Sequence, residues 1–410
     1  MNARRLLAHF TLHGVAYFSF VVLGLPDGML GVAWPSVSET FGRPLGSLGV
    51  LLFGFTAGYL LTTTVAGPLL RRLGYAGHLL RAAVLMALGG VGMAVAPSWP
   101  LMIGAAAFLG AGAGMLDGGL NAYGALQFRS RDLNWLHAAY GIGATGGPLI
   151  MTPIVASSMS WRFGYGLFAG AALLMVVAFR LSRNAFRVPV GTGKPGGEAS
   201  EGRKRREPTG QSADRSAGGT GRRWVVFGGS VVVFFLYTGV EVVAGQWSYS
   251  LFTIGRGVEA SQAGPWVSGY WAALTAGRVV FGWIAERFTA AFLLRVTSLT
   301  AIGGVLLLWL GRPPFLGAVA LAVLGFSLAP MFPLLIGETP RRVGVRRSDH
   351  AVGLQIAASN IGAVSLVGLV GTLVESMGLE VIGAALLVNV LLFAAVNEVM
   401  TRVTAPSGPR

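Results

Sequence analysis

Twelve apolar runs, each about twenty residues or longer, constrain the fold of this chain more than any other feature. An α-helix of about 20 residues crosses the roughly 30 Å hydrocarbon core of a bilayer. Charged residues form only 11% of the sequence, whereas soluble domains carry about 25%. The sequence therefore predicts an all-α polytopic membrane protein with twelve transmembrane helices. The predicted helices cover approximately residues 10–36, 46–70, 79–97, 101–127, 134–158, 163–181, 224–250, 263–285, 290–310, 314–337, 350–374 and 379–400.

Lysine and arginine concentrate in alternate loops between these runs. Of the 31 basic residues, 27 lie in segments that would share one side of the membrane with the N-terminus, and 4 lie on the other side. Short loops rich in Lys and Arg stay in the cytoplasm, so the pattern predicts that both the N-terminus and the C-terminus are cytoplasmic. The protein is expected in the plasma (cell inner) membrane. The net charge of +15 comes from these loops and not from one polar face, so no nucleic-acid partner is expected.

One long polar insert separates six runs from the other six. Residues 183–223 are rich in Gly, Ser, Pro and charge, which predicts a disordered cytoplasmic linker because little of the segment can be buried. Its basic run at 203–206 is expected to be solvated, with a nucleotide or anionic-lipid site as the less favoured alternative. The predicted domains are an N-terminal six-helix bundle at 1–182, the linker at 183–223 and a C-terminal six-helix bundle at 224–410.

The two halves resemble repeats of one another. The segment GPLLRRLG from Gly67 follows the second run, and GWIAERFT from Gly282 follows the eighth, at an offset of 215. At nearly the same offset Asp27 falls beside Glu241. Matching polar breaks in two halves point to a transport site near the middle of the bilayer. The pattern predicts two pseudo-symmetric bundles around such a site.

Three acidic residues interrupt the apolar runs: Asp27, Asp117 and Glu241. A charge at a bilayer centre costs roughly 2.5–3.5 kcal/mol on insertion scales, so such residues usually serve transport. These acids are the proton-coupling candidates, and the alternative is a protonated acid that only packs helices together. Arg278 is assigned to the inner end of its helix, so no Lys or Arg is expected in mid-membrane, which favours a neutral over an anionic substrate.

Amide and aromatic side chains supply the groups that a sugar requires, hydrogen bonds to its hydroxyls and a flat surface for its ring. A tryptophan near a helix end is more often an interfacial anchor, and Trp247, six residues after Glu241, is the best exception. His137 is a possible proton relay, with a helix-end hydrogen bond as the equal alternative. The substrate-binding candidates are Trp34, Asn121, Asn134, Tyr140, Gln246, Trp247, Gln355 and Asn360.

Twelve helices, a basic central loop and a GxLaDRxG-like element after the second and eighth helices resemble the major facilitator superfamily. In that family the element latches the halves on the cytoplasmic side and has an acid at its fifth position. The second copy keeps the acid as Glu286, followed by Arg287, whereas the first has Arg71, followed by Arg72. The resemblance implies gating by Gly67, Arg72, Gly282, Glu286 and Arg287, with the departure at Arg71 weakening the case for the first copy.

Further motifs resemble the fucose/glucose/galactose permease group, which are sugar:proton symporters. These motifs are Asp27 after Pro26, LNWLHAAYGIGATGGPL from Leu133, YTGVEVVAGQW from Tyr237, GFSLAPMFPLLIGETP from Gly325 and GLQIAASNIGA from Gly353. The superfamily resemblance implies that helices 1, 4, 7 and 10 line the central cavity. It therefore places all three acids on the substrate path.

The function expected from these observations is secondary active transport by alternating access, as proton-coupled symport of a sugar or a similar small neutral solute. The alternatives are a proton-coupled exporter of drugs or other hydrophobic compounds and a receptor or scaffold without transport. An enzyme is not expected, since the chain has no Cys, only five His and no HExxH or GxSxG motif. We expect no metal site and no cofactor. The expected driving force is a proton or sodium gradient, and the expected partners are a small-molecule substrate and the lipid bilayer. The protein is expected to be a monomer.

Overall fold

The computed structural model describes residues 3–186, 220–311 and 313–404. Most of the predicted linker, including the basic run at 203–206, lies outside these residues. Within the described ranges every long regular element is an α-helix, so the all-α prediction is confirmed.

The first six helices follow the predicted apolar runs. They are α1 (Ala3–Thr40), α2 (Leu48–Thr64), α3 (Ala66–Val95), α4 (Trp99–Gln127), α5 (Ser130–Ala156) and α6 (Arg162–Leu181). The third helix begins before the predicted start at 79, because the segment after α2 is itself helical. Gly74 interrupts this helix with a φ of 64°, a conformation that glycine adopts without a steric penalty, and the chain changes direction there.

The second six helices begin after the undescribed stretch. They are α7 (Thr220–Ser250), α8 (Ala260–Ile284), α9 (Ala290–Leu310), α10a (Pro314–Leu328) with α10b (Met331–Val343), α11 (Val345–Met377) and α12 (Val381–Thr404). α7 continues as a π-helical turn at Leu251–Gly255. The tenth helix is broken at Ala329 and Pro330, where proline lacks the N–H that a continuous helix needs. With α10a and α10b counted together, the described residues form the twelve predicted helices.

Ten of the twelve helices are long and apolar enough to cross a membrane on composition alone. The other two are α5 and α8, which carry polar side chains, among them Asp132 and His137 on α5 and Arg278 on α8. Polar residues inside a membrane bundle normally face partners or a water-filled cavity. These two helices are therefore suited to line a polar path.

Contacts between residues divide the chain into two compact units. Unit 1 comprises Met1–Pro26, Val50–Ala144 and Ser158–Ser216, and unit 2 comprises Asp27–Gly49, Thr145–Ser157 and Ala217–Arg410. The later parts of α1 and α5 thus group with α7 to α12. The division by sequence halves, 1–182 and 224–410, stays a prediction.

Close helix packing fills both units. In unit 1, α3 packs against α4 and α6, and a side chain at Gly112 would meet the backbone of Met86 at 2.6 Å. In unit 2, α7 packs against α11 and α12, and α10a packs against α8 and α9. Small residues let helix backbones approach closely in a membrane, where apolar side chains gain little by leaving lipid. This packing holds the intramembrane polar residues in fixed positions.

Candidate functional site

Glu241 lies near the middle of the α7 membrane span and is held by three polar side chains of unit 2. The hydroxyl of Tyr237, one turn earlier on α7, donates a hydrogen bond to Glu241 Oε2. Arg278 of α8 places Nη2 3.6 Å from Glu241 Oε1. The hydroxyl of Tyr270, also on α8, donates to the backbone oxygen of Glu241 at 2.8 Å. The carboxylate thus has a cation on one side and a phenol on the other.

The ion pair corrects one expectation from the sequence. The expected absence of an arginine in mid-membrane is wrong, because the long side chain of Arg278 reaches from the inner part of α8 to Glu241. The side chain of Glu241 is 14% exposed and that of Arg278 is 32% exposed, so the pair is mostly enclosed but accessible from one side. The argument for a neutral substrate, which depended on that absence, no longer applies.

Asp27 lies on α1 in unit 2 and is half-buried. Its backbone oxygen accepts a hydrogen bond of 2.9 Å from Nε2 of Gln246 on α7. Gln246 is buried, and its Oε1 accepts no hydrogen bond within the described part of the chain. This contact brings two of the predicted site residues together, one from each half of the sequence.

Asp117 forms a second polar cluster, in unit 1. The hydroxyl of Tyr59 on α2 donates to Asp117 Oδ2 at 2.7 Å, and Asn121 Nδ2 donates to Oδ1 at 2.8 Å. His137 of α5 is close enough to act on the carboxylate electrostatically. The structure therefore joins three of the predicted residues, Asp117, Asn121 and His137. Their roles in coupling and substrate binding stay predictions.

Both candidate tryptophans are completely buried in unit 2. Trp34 donates from Nε1 to the backbone oxygen of Leu45 at 2.8 Å, and Trp247 donates to that of Val367 at 3.3 Å. Each indole is engaged in packing and has its N–H satisfied, which is the arrangement expected of structural tryptophans. A stacking role for Trp247 stays a prediction and requires a conformation in which its ring is uncovered.

The remaining substrate candidates lie in different surroundings. Gln355 is buried on α11 and accepts a hydrogen bond of 3.0 Å from Thr339. Asn360 donates to the backbone oxygen of Ile356 in its own helix at 2.9 Å. Asn134 is exposed on α5, and Tyr140 is half-buried there.

The predicted gating motifs lie at helix ends and are exposed. Gly67 and Arg72 belong to the early part of α3, before the bend at Gly74, and Gly282 lies in the last turn of α8. Glu286 and Arg287 occupy the turn between α8 and α9. The gating role of this element stays a prediction.

A second kind of contact in unit 2 is made mainly by closely packed backbone. The 3₁₀ turn at Leu45–Ser47 and the start of α2 meet α11 through glycines. A side chain added at Gly49 would lie 2.5 Å from Cα of Gly368. The amide of Gly46 donates to Oε1 of Glu375 at 3.0 Å. We call Gly46, Gly49, Gly368, Gly371 and Glu375 the glycine contact.

The later part of α5 joins α8 in a similar way. Ser268 Oγ donates to the backbone oxygen of Thr145 at 2.7 Å, and Gly264 lies directly against the side chain of Thr152. Segments from both halves of the sequence therefore pack together here, along the later part of α5 and the first part of α8.

Four residues of these clusters were not among the sequence candidates: Tyr59, Tyr237, Tyr270 and Arg278. Tyr237 had a readable signal, because residues four apart on a helix share a face and it precedes Glu241 by that spacing. Arg278 was also detectable as a charge within an apolar run. The two other tyrosines contact their acids only through helix packing, which no local pattern reveals.

A separate open cavity of about 430 Å³ lies in unit 1 and is lined by Tyr17, Arg129, Arg131, Asp132 and Trp135. Within the described residues, no three His, Cys, Asp or Glu side chains are placed to hold a metal ion. The functional candidates are therefore the two intramembrane acid clusters and the contacts around them.

Two characterised proteins are similar to this chain over most of its length. Bypass of stop codon protein 6 from Saccharomyces cerevisiae is 22% identical over 401 residues, which span 91% of this chain and 79% of the yeast protein. The glucose/mannose transporter GlcP from Bacillus subtilis is 21% identical over 392 residues, which span 91% of this chain and 92% of that protein.

Solved structures share the fold, and a family model covers most of the sequence. The nucleoside transporter NupG has a TM-score of 0.74 at 14% identity, covering 95% of this chain and 99% of that one. The outward-facing transporter FucP has a TM-score of 0.58 at 17% identity, covering 98% and 100%. These neighbours are transporters and not enzymes. The model of the Major Facilitator Superfamily matches residues 16–367. This multi-pass membrane protein therefore belongs to the major facilitator superfamily, as its sequence motifs predicted.

Proposed function

We propose that the protein is a secondary active transporter that carries a sugar or a similar small hydroxylated solute together with a proton, by alternating access. The observation that carries this proposal is the Glu241–Arg278 ion pair, a titratable carboxylate held in mid-membrane at 3.6 Å from a cation. Ionisable residues in such positions mark ion and substrate pathways. The similarity to a glucose/mannose transporter supports a sugar, and the names of the relatives do not favour the drug-exporter alternative.

Proton coupling follows from the chemistry of this pair. A proton that binds Glu241 neutralises the carboxylate and removes its attraction for Arg278. The hydrogen bond from Tyr237 must then also rearrange, because the protonated carboxyl has an O–H of its own to donate. Protonation thus changes the contacts between α7 and α8. Asp27 and Asp117 are the further coupling candidates, with His137 as a relay to Asp117.

Alternating access draws support from the contacts within unit 2. Parts of α1 and α5 pack on α7, α8 and α11 through close backbone approaches, and such contacts must separate for a substrate to pass. We propose that these contacts form the gate at the membrane side opposite the N-terminus. We propose that the helix-end motifs around Gly67 and Gly282 form the gate at the membrane side that carries the N-terminus.

The topology and energy source are part of the proposal. The distribution of basic residues supports cytoplasmic termini and a plasma-membrane location. A proton gradient is the proposed driving force, and sodium is the alternative that the same acids fit. We propose that the protein works as a monomer in the bilayer, without a bound cofactor and without a nucleic-acid partner.

The first test is uptake of labelled glucose and related monosaccharides into proteoliposomes under an imposed inward proton gradient. The wild type is compared with Glu241→Gln and Asp27→Asn. We expect gradient-driven uptake in the wild type and its loss in the variant of the coupling acid, while counterflow exchange survives because it needs no net proton movement. Efflux of a preloaded dye under the reversed gradient, without uptake of any sugar, would show an exporter instead.

A further inference from the structure

We infer that the open cavity of unit 1 binds the phosphate group of an anionic phospholipid whose acyl chains remain in the bilayer. The cavity has a volume of about 430 Å³ and is lined by Tyr17, Arg129, Arg131, Asp132 and Trp135. All five residues belong to unit 1, whereas the Glu241–Arg278 pair belongs to unit 2. The inference therefore goes beyond the proposed transport and does not depend on which solute is carried.

The position of the cavity along the helices places it at a membrane surface. The candidate span of α1 begins at Leu12, and that of α4 ends at Gln127, just before the turn that carries Arg129. Trp135, in the second turn of α5, is 55% exposed. Tryptophan, tyrosine and arginine are typical of helix ends at the depth of the lipid headgroups. A lipid that reaches this cavity therefore presents its headgroup to it.

The turn between α4 and α5 is held by its own contacts. The backbone amide of Arg129 donates to Asp132 Oδ2 at 3.1 Å, which is the contact of a first-turn acid with the residue that begins a helix. His13 Nε2 of α1 lies 3.6 Å from the same oxygen. The His13 ring also stacks on Phe128, with the centroids 4.7 Å apart. The turn is thus attached to α1, and the Asp132 carboxylate is engaged by groups other than the arginine side chains.

Arg129 and Arg131 supply the positive charge of the cavity. Both side chains are exposed. Within the described part of the chain, neither side chain forms an ion pair or a hydrogen bond. A guanidinium group presents its donors in a planar fork that matches two oxygens of a phosphate. Both forks are therefore available to a ligand that enters the cavity.

The charge of the lining favours an anionic headgroup. Two arginines and one aspartate leave the cavity with a single net positive charge. The N-terminal end of α5 adds the positive end of the helix dipole. A phosphodiester carries one negative charge and neutralises the lining, as in other basic pockets between transmembrane helices that bind anionic headgroups. A zwitterionic headgroup would instead bring an ammonium group beside the arginines, where like charges repel.

The size and the aromatic residues of the cavity favour a whole headgroup over a bare ion. Sites for small organic ligands enclose about 300–1,000 Å³, and this cavity of about 430 Å³ falls within that range. Tyr17 and Trp135 each combine an apolar ring with a hydrogen-bond donor, which suits the carbon atoms and hydroxyls of a glycerol unit. Phosphatidylglycerol has a phosphodiester, a hydroxylated headgroup and no cation. It is therefore the lipid that we expect to bind.

The test measures lipid binding by native mass spectrometry of the full-length protein purified in detergent. Phosphatidylglycerol and phosphatidylcholine with identical acyl chains are added at equal concentrations, and we expect the wild type to bind phosphatidylglycerol preferentially. The double variant Arg129→Gln with Arg131→Gln should bind phosphatidylglycerol at least about tenfold more weakly, because charge-assisted hydrogen bonds are lost. Arg129→Lys with Arg131→Lys keeps the charge without the fork and should bind with intermediate affinity.

A second pair of arginines provides the matched control. Arg180 and Arg183 are exposed at the end of α6 in unit 1 and do not line the cavity. Arg180→Gln with Arg183→Gln removes the same charge and should bind phosphatidylglycerol like the wild type. The Tm of each variant without added lipid shows that it is folded, and we expect little change because the replaced side chains are exposed.

Three results would overturn the inference. Equal phosphatidylglycerol binding by the wild type and by Arg129→Gln with Arg131→Gln would show that these arginines hold no headgroup. An equal loss in the α6 control would show only nonspecific attraction between lipid and positive charge. Glycerol phosphate is the soluble probe. If it raises the Tm of the lipid-free wild type as much as phosphatidylglycerol does, the cavity binds a soluble phosphate and not a lipid.

Discussion

Two arginines in the loops opposite the N-terminus bind the ends of helices. Arg162 donates to the backbone oxygens of Ala94 at 3.0 Å and Ala96 at 2.6 Å, where α3 ends. Arg256 donates to that of Leu308 at 2.8 Å, near the end of α9, and forms a two-point ion pair with Glu380. A cation at a helix C-terminus satisfies carbonyls that lack helical partners and complements the helix dipole. These contacts account for two of the four basic residues that the sequence places on that side.

Removal of either arginine is expected to destabilise the protein. Arg162→Ala and Arg256→Ala should each cost about 1–2 kcal/mol, because they remove hydrogen bonds to helix-end carbonyls. Thermal unfolding in detergent measures this as a lower Tm. Arg43→Ala serves as the control, since Arg43 is exposed in the turn after α1. Equal Tm values for all three variants and the wild type would show that these caps add no stability.

At this scale the sequence located the acids and one direct partner, Asn121, but not the tyrosines or the arginine that contact them. Asp117 and Glu241 were identified because an acid in an apolar run is rare and costly. Arg278 was misplaced because its position along α8 was read without the reach of its side chain. Tyr59 and Tyr270 are ordinary residues in the sequence, and only the packing of α2 on α4 and of α8 on α7 brings them to the acids.

Gly49 and Gly368 face each other at the glycine contact but differ in the space available for an added side chain. A methyl group on Gly49 would lie 2.5 Å from Cα and 3.1 Å from N of Gly368, which is a clash with backbone. A methyl group on Gly368 would lie 3.8 Å from Cα of Gly49, which is ordinary contact. The same substitution is therefore forbidden at one glycine and tolerated at the other.

This difference gives a matched pair of variants for the proposed gate. Gly49→Ala is expected to hold the contact open and to reduce transport, whereas Gly368→Ala should behave like the wild type. Because the chain has no cysteine, a single reporter can be introduced as Ser268→Cys, at a buried side chain beside Thr145. Reaction of this reporter with a membrane-impermeant maleimide should increase in Gly49→Ala only. Equal labelling and equal transport in both alanine variants would contradict the gate.

The sequence predicted the helices correctly wherever a segment is helical because it is apolar enough to lie in the membrane. Every apolar run became a helix, because a chain in lipid must satisfy its backbone hydrogen bonds internally. The helical segment before Gly74 and the break at Pro330 were not anticipated. Both concern short polar or proline-containing stretches, where local backbone preferences outweigh hydropathy.

For the molecule as a whole, the proposed topology gives the clearest expectation. A fluorescent protein fused to the C-terminus should be fluorescent, since it folds in the cytoplasm, and alkaline phosphatase fused at the same site should be inactive. The basis is the excess of basic residues on one side, 27 of 31. The reverse result, an active phosphatase and a dark fluorescent protein, would contradict cytoplasmic termini.

The sequence did not predict how the helices group into the two compact units. The repeat of GPLLRRLG and GWIAERFT divides the chain into two halves, whereas contacts assign the later parts of α1 and α5 to unit 2 with α7 to α12. The sequence repeat shows that the chain consists of two similar halves, whereas the contacts show which helix segments pack against one another. The hydrogen bond from Gln246 to Asp27 illustrates the difference, since it joins residues 219 positions apart.

The glycine contact has a consequence for leakage of ions. Side chains that meet across a gate leave crevices in which water molecules can line up, and a proton can hop along such a file of water. At Gly49 and Gly368 main chains touch with no side chain between them, and where Gly371 lies against Gly46 the Glu375 carboxylate is bonded to the Gly46 amide. No water fits in such a contact. A seal of this kind would keep a proton gradient from dissipating through the resting protein.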